Sequence, residues 1–150
     1  MPVRFSIPDW FAGAKLGLFI HWGPYSVPAW APAAGALNEI KSSGGWRAWF
    51  AANPYAEWYF NSIRIPGSPS NIHHRRTYGA NFPYERFHQA FLASMERWNP
   101  AEWADLALRA GCRYAVLTAK HHDGFLLLSL IHISEPTRLL SISYAVFCLK

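Results

Sequence analysis

The stretch YAVLTAKHHDGF, residues 114–125, joins an apolar run to a pair of adjacent histidines. Its first six residues have the length and the aromatic and β-branched content of a buried strand. Asp123-Gly124 is typical turn chemistry, so the chain is expected to turn just after His121 and His122. Because buried imidazole nitrogens need hydrogen-bond partners, two such rings at a strand exit indicate polar recognition.

A second apolar run ends in the same way. Residues 16–20, LGLFI, predict another buried strand, and His21 follows directly after it. The residues just before the 114–119 run have helical spacing. The predicted order is therefore a strand, a long connecting segment, a helix and a second strand. That order is typical of a crossover between parallel strands, and ligands gather at the carboxyl ends of such strands. We therefore expect His21 to lie close to His121 and His122.

Two helices are predicted between the strands. The clearer one has Asn99 as its N-cap, Pro100 as its first residue and Glu102 completing a capping box, and it ends before Gly111. Its buried stripe is expected to consist of Trp103, Leu106, Ala107 and Ala110. The other helix spans residues 84–95 and is predicted to present Phe87, Phe91 and Met95 on one face.

The remaining segments have weaker patterns. Residues 9–15 predict one helical turn capped by Asp9, and residues 26–55, rich in Pro, Ala and Gly, predict a long loop with short helical pieces. The pair His73-His74 follows no strand and is interpreted as surface loop. Within YAEWY, residues 55–59, Glu57 can accept hydrogen bonds from hydroxyls while Trp58 covers an apolar sugar face; the alternative is a helix fragment with Glu57 in solvent.

Composition limits the class of protein. With 150 residues, 51% of them hydrophobic and 17% aromatic, the chain is long and apolar enough for one domain with a core. Its net charge of +5 comes from scattered basic residues, which argues against nucleic acid as a partner. Without a window of about 18 apolar residues or the apolar core of a signal peptide, we expect no membrane partner and a soluble, cytoplasmic protein. Eight tryptophans exceed what such a core takes, which favours exposed indoles that contact ligands.

These motifs, in this order, resemble the N-terminal part of the α-L-fucosidases of glycoside hydrolase family 29. The resemblance covers about residues 10–125 and is carried by residues 10–11, 15–27, 57–59, 114–118 and 120–125. It implies an α/β fold, namely the N-terminal portion of a (β/α)8 TIM-like barrel truncated after the second strand. It also implies hydrolysis of terminal α-L-fucose from glycoconjugates with retention, through a carboxylate nucleophile and a second carboxyl acid/base.

The resemblance further implies binding roles for five residues. In such enzymes the residues matching His21, Glu57, Trp58, His121 and His122 hold the fucose hydroxyls. The nucleophile and the acid/base lie on later strands, so no residue here is assigned a catalytic role. No cofactor or metal is implied, the expected partner is a fucosylated glycan, and the oligomeric state stays open.

Two other function classes remain open. A sugar-binding module without catalysis would account for the aromatic loop alone. A metal-dependent hydrolase would use His21, His121, His122 and Asp123 as ligands, since imidazole and carboxylate suit zinc. Adjacent histidines rarely converge on one metal, however, because strand alternation or a tight turn separates their rings.

The C-terminal segment has a different character. Residues 128–150, LSLIHISEPTRLLSISYAVFCLK, resemble the conceptual translation of a transposase-based sequencing adapter followed by an index and a flow-cell primer. We therefore divide the chain into residues 1–127, part of the catalytic barrel, and residues 128–150, a non-native tail. The alternative is an ordinary hydrophobic C-terminal hairpin.

Excluding this tail has two consequences. Since Cys148 lies in it, Cys112 alone remains and no disulfide is expected. A barrel takes about 250 residues, so the two strands would keep both edges and the helix stripe uncovered.

Overall fold

The computed structural model of the protein describes residues 6–127 and the backbone of residues 143–148. The helices are α1 (Asp9–Gly13), α2 (Leu37–Ala51), α3 (Tyr59–Ile63), α4 (Pro69–Thr77), α5 (Glu85–Met95) and α6 (Pro100–Arg109). The strands are β1 (Gly17–Ile20), β2 (Tyr114–Lys120) and β3 (Ser143–Cys148), and short 3-10 turns occupy Pro24–Ser26 and Ala56–Trp58. No helix in this part of the chain is long and apolar enough to cross a membrane.

The two predicted strands pair in parallel. Gly17 of β1 lies opposite Tyr114 of β2, and the register continues to Ile20 opposite Leu117. The hydroxyl of Thr118 donates a 2.9 Å hydrogen bond to the carbonyl oxygen of Ile20. Because this bond joins the carboxyl end of β1 to β2, both strands end at one edge of the sheet. The predicted parallel crossover, with a helix leading directly into the second strand, is confirmed.

A third strand differs from the prediction. β3 pairs antiparallel with β2, from Tyr114 opposite Cys148 to Lys120 opposite Ser143, so the sheet has the order β1-β2-β3. The expectation that both edges of a two-strand sheet stay uncovered is therefore wrong for β2, whose second edge β3 covers. β3 lies within the segment interpreted as a non-native tail; residues 128–142 and 149–150 of that segment lie outside the described residues.

The helix before β2 begins at the predicted N-cap, Asn99, but Glu102 bonds the side chain of Asn99 and not its backbone N–H, so the predicted capping box is not formed. The side-chain oxygen of Asn99 accepts a 3.1 Å hydrogen bond from the backbone N–H of Ala101, and its amide donates a 3.0 Å bond to Glu102. Gly111, with a φ of +86°, follows the end of α6. That backbone conformation strains any residue with a Cβ, which is why glycine commonly ends a helix.

The stripe of α6, whose spacing predicts burial, is largely uncovered, as the sequence predicts for a barrel truncated after two strands. Ala107 is buried, whereas Trp103 and Ala110 are exposed and Leu106 is 60% exposed. β1 was also predicted to be buried, but Leu18 and Phe19 are exposed. An open apolar groove of about 380 Å³ is lined by Leu18, Ile20, Trp103, Leu106, Ala107, Ala110 and Cys112. α6 and β1 thus face each other across an open apolar groove.

The core lies among the helices between β1 and β2. Tyr59, Tyr84 and Phe87 are buried together, and α5 also buries Phe91, as its spacing predicts. Trp30, Phe60, Ile63, Tyr78 and Phe82 pack against the first three. This aromatic core fixes α3 and α5 relative to each other.

His74 belongs to this core, so its interpretation as surface loop is wrong. The residues form α4, which begins because Ser68 accepts a hydrogen bond from the N–H of Asn71 and Pro69 takes the first helical position. His74 Nε2 lies 2.9 Å from the carbonyl oxygen of Phe82, and Nδ1 lies 3.0 Å from the Tyr59 hydroxyl. Since a carbonyl only accepts, Nε2 carries the proton and the Tyr59 hydroxyl donates to Nδ1. Burial raises the pKa of Tyr59, which keeps that hydroxyl protonated.

His74→Ala tests this structural role. The substitution leaves the Tyr59 hydroxyl and the Phe82 carbonyl unpaired in the core and opens a cavity, so we expect a loss of about 2–4 kcal/mol of unfolding free energy. Urea unfolding of a full-length protein that contains residues 1–127 measures it. His73→Ala, on the next residue of α4, is the matched control and should cost less than about 1 kcal/mol, since it removes only a stack on Trp30. Equal losses for the two variants would contradict the assignment.

Of two further N-terminal predictions, one agrees with the structure and one needs correction. Residues 37–51, α2, consist of two short helical pieces joined at Gly45, in agreement with the short helical pieces that the sequence predicts for residues 26–55. Gly45, with a φ of 66°, interrupts the helix between the two pieces, and neither piece buries any of its residues. Asp9 is not an N-cap, because Pro8 holds that position in α1.

Candidate functional site

Three separate segments meet at the carboxyl edge of the sheet. His21 follows the end of β1, His121 and His122 follow the end of β2, and Glu57 and Trp58 come from the 3-10 turn before α3. The sequence predicted each of these five residues as a site residue, and the structure brings all five together. We call them the five-residue cluster.

Ring contacts define the cluster. The ring centroids of His21 and His121 are 5.5 Å apart, and those of His121 and His122 are 4.7 Å apart with perpendicular planes. The Trp58 ring lies 4.5 Å from that of His122. Glu57 Oε1 lies 3.8 Å from His21 Nδ1. Glu57 therefore faces the histidines, and the alternative of a purely solvated carboxylate does not hold.

Hydrogen bonds fix the turn that orients His121 and His122. Asp123 accepts a 2.8 Å hydrogen bond from the Tyr84 hydroxyl at one carboxylate oxygen and a 3.1 Å bond from the Phe125 N–H at the other. The N–H of Gly124, at a φ of +80°, donates to the carbonyl oxygen of His121. Burial and the nearby Asp123 raise the pKa of Tyr84, so its hydroxyl stays a donor. Sequence reasoning missed Tyr84, because nothing local links it to a carboxylate 39 positions away.

Burial favours the neutral form of the His121 and His122 imidazoles. Burial, with smaller contributions from His122 and His21, lowers the pKa of His121 to about 4. Burial also lowers the pKa of His122, against the opposing effect of Asp123 and Glu57. The Nδ1 atoms of His121 and His122 are buried and have no hydrogen-bond partner among the described residues. Because unpaired buried polar atoms are costly, these two atoms favour a polar ligand.

The lowered pKa of His121 makes stability depend on pH. The unfolded chain binds a proton at this ring below a pH of about 6.5, whereas the folded chain does so only near 4. The stability contributed by neutral His121 is therefore complete above pH 6.5 and falls as the pH drops toward 4. We expect His121→Gln to flatten this dependence, as measured by urea unfolding of a full-length protein at pH 4, 5, 6 and 7. Parallel curves for parent and variant would contradict the assignment.

The geometry does not favour a metal at the cluster. Within residues 6–127, no group of three or more His, Cys, Asp or Glu side chains is arranged to hold an ion. Both carboxylate oxygens of Asp123 already accept hydrogen bonds, and the rings of His121 and His122 are perpendicular. The donor set is better suited to hydroxyl groups than to zinc.

Four cavities of about 380–700 Å³ lie elsewhere in the described structure. The largest of them is lined by Trp30, His73, Arg76 and neighbouring residues, and none of the four linings includes a member of the cluster. The cluster at the sheet edge lies outside these four cavities. The cluster is identified as a candidate binding site by its convergent polar groups and by the unpaired buried nitrogens of His121 and His122, not by the volume of a cavity.

Comparison with known proteins agrees with this geometry. The family model described as alpha-L-fucosidase matches residues 3–129. The chain belongs to the α-L-fucosidase family. It is 36% identical to the alpha-L-fucosidase of Dictyostelium discoideum over 124 residues, which are 81% of this chain and 22% of that protein. It is 37% identical to the human tissue alpha-L-fucosidase over 120 residues, which are 79% of this chain and 20% of that one.

Solved α-fucosidases share the fold of this segment. The crystal structure of Thermotoga maritima alpha-fucosidase in complex with fucose matches with a TM-score of 0.69 and 50% identity, over 83% of this chain and 26% of that one. The complex of the same enzyme with a mechanism-based inhibitor matches with a TM-score of 0.68. The chain thus spans about a fifth of the curated fucosidases that it matches. The family resemblance read from the sequence is confirmed, and the two parallel strands are those of a fucosidase segment.

Proposed function

We propose that residues 1–127 are the N-terminal part of the (β/α)8-like catalytic domain of a retaining α-L-fucosidase. Its substrate is a glycan that carries terminal α-L-fucose, and the five-residue cluster is the cradle for that sugar. The observation that carries the proposal is the meeting of five side chains from three distant segments where two parallel strands end. That edge is where barrel enzymes of this architecture bind their substrates.

The chemistry of the cluster suits a sugar. His21, His121 and His122 exchange hydrogen bonds with fucose hydroxyls, and neutral imidazole both donates and accepts such bonds. Glu57 accepts a hydroxyl bond and is oriented toward His21. Trp58 packs beside the sugar and covers an apolar face, as an indole does well. We assign Glu57 to hydroxyl binding and not to proton transfer.

The covalent chemistry requires two further carboxyl groups. In a retaining mechanism one carboxylate attacks the anomeric carbon, and the second carboxyl protonates the leaving oxygen and then activates water. Within the proposal, both groups come from later strands of the complete protein, by which we mean the full-length open reading frame that contains residues 1–127. Residues 1–127 contribute substrate binding, which assists catalysis where hydrogen bonds strengthen in the transition state.

The proposal also separates residues 128–150 from the fucosidase segment. Two observations support the separation: the family match ends at residue 129, and β3 runs antiparallel to β2. Neighbouring strands of a (β/α)8 barrel are all parallel, so β3 does not continue that pattern. Resequencing the source locus tests the adapter origin. We expect a different continuation after residue 127, and a genomic sequence that encodes this same tail in frame would refute it.

Hydrolysis by the complete protein tests the function. We expect release of 4-nitrophenol from its α-L-fucoside and little release from the β-D-galactoside, with the product sugar first seen as the α-anomer by proton NMR. A first product of β configuration would contradict retention. Fucose binding without any hydrolysis would favour the alternative, a carbohydrate-binding protein without catalysis. Loss of activity on chelation would instead favour the metal-dependent hydrolase.

A further inference from the structure

An aromatic face continues outward from the five-residue cluster. After the kink at Gly45, the second half of α2 presents Trp46, Trp49 and Phe50, which are spaced i, i+3, i+4 and so share one side of the helix. The rings of Trp49 and Phe50 lie 5.3 Å and 5.4 Å from that of Trp58. Trp46 lies 5.7 Å from Trp49. An unbroken series of ring contacts therefore joins His122, through Trp58, to the outer end at Trp46.

This face is not explained by the core. α2 buries none of its residues, and Trp46 remains 59% exposed, with Phe50 also exposed. Tyr55, at the exit of the same segment, is 54% exposed. Large aromatic side chains that stay in water next to a binding site are typical of surfaces that contact ligands. The inner end of the face belongs to the proposed fucose cradle, so its occupant is expected to be attached to that fucose.

We propose that Trp46, Trp49 and Phe50 form an aglycone subsite, which binds the pyranose rings of the glycan to which the terminal fucose is joined. Sugar rings present apolar C–H faces that stack on indole and phenyl rings. Trp49 and Phe50, next to Trp58, meet the sugar nearest the fucose. Trp46, at the outer end, meets a sugar further along. The inference rests on the proposed function and adds to it a preference for fucosylated oligosaccharides over fucosides of small aglycones.

A ratio of specificities in the complete protein tests the subsite. The measured quantity is kcat/KM for a fucosylated trisaccharide divided by kcat/KM for 4-nitrophenyl α-L-fucoside. We expect Trp46→Ala to lower this ratio about tenfold, the size of one aromatic contact. Trp46→Phe, which keeps a ring, should recover most of it. Trp10→Ala is the matched control, since Trp10 is also exposed but packs on Phe11 and Tyr114 away from the cluster, and it should leave the ratio within twofold.

The outcomes separate the subsite from the fucosidase proposal. Turnover of both substrates with an unchanged ratio in Trp46→Ala would overturn the subsite alone. A change from dimer to monomer in Trp46→Ala, by sedimentation and without a change in the ratio, would overturn it in favour of a subunit contact. A complete protein that turns over neither substrate contradicts the proposed function and the subsite together. Melting temperatures of the three variants show whether a lowered ratio accompanies misfolding, and a ratio that recovers in Trp46→Phe excludes that cause.

Discussion

In the complete protein, His122→Ala and His21→Ala are each expected to lower kcat/KM on 4-nitrophenyl α-L-fucoside about 30- to 200-fold. The reason is that each substitution removes a hydrogen bond to a sugar hydroxyl in a partly buried site and leaves that hydroxyl unpaired, which costs about 2–3 kcal/mol. The Nδ1 of His122 is buried and has no partner among the described residues, so a bound hydroxyl is its natural partner. Steady-state kinetics at pH 6 and 7 measure the loss.

A histidine outside the cluster provides the control. His73 lies in α4, and its ring stacks on Trp30. His73→Ala should change kcat/KM by less than about twofold. Circular dichroism and a melting temperature close to that of the parent show that the cluster variants fold. Kinetic constants in His21→Ala and His122→Ala equal to those of the parent would refute the cradle.

The 150-residue chain by itself is expected to show no turnover of an aryl fucoside, whereas the complete protein is expected to hydrolyse it. The difference should exceed about 10⁴-fold, because the nucleophile and the acid/base together supply most of the chemical acceleration in a retaining glycosidase. We also expect the short chain to be insoluble or to bind a hydrophobic dye strongly, since Leu106, Trp103 and Phe19 are exposed.

A matched truncation separates activity from folding in this experiment. A chain that ends at residue 127 removes β3 from the edge of β2 and should bind still more dye. Measurable fucoside hydrolysis by the 150-residue chain, above that of a mock purification, would contradict the assignment of catalysis to later strands.

The local features of the sequence predicted much of this structure. Asn99, Pro100 and Gly111 bounded α6 because capping depends on a few adjacent residues. The apolar runs before His21 and His121 predicted strands, and the helix before the second run predicted their parallel pairing. The nearness of the three histidines followed from these elements, since parallel strands place their carboxyl ends together. Glu57 and Trp58 follow no strand, and their place in the site was implied only by the family resemblance.

The errors have physical causes of their own. The bounds of α2 could not be predicted, because its two helical pieces bury none of their side chains and therefore lack the apolar periodicity that marks a helix. His74 was assigned to a loop because its partners, Tyr59 and Phe82, are distant in sequence. The stripe of α6 and the faces of β1 have apolar patterns suited to burial, but burial also requires a covering element. Tyr84 illustrates the same limit in the site, since only the tertiary fold brings it to Asp123.

The most direct test of the fucose cradle is a crystal structure of the complete protein with L-fucose bound. We predict that the sugar lies at the carboxyl edge of β1 and β2, with hydroxyl oxygens within hydrogen-bond distance of His21, His121 and His122. Glu57 should accept a further hydroxyl bond, and the Trp58 ring should pack against the sugar. Fucose bound at another edge of the sheet, or the three imidazoles turned away from it, would contradict the account.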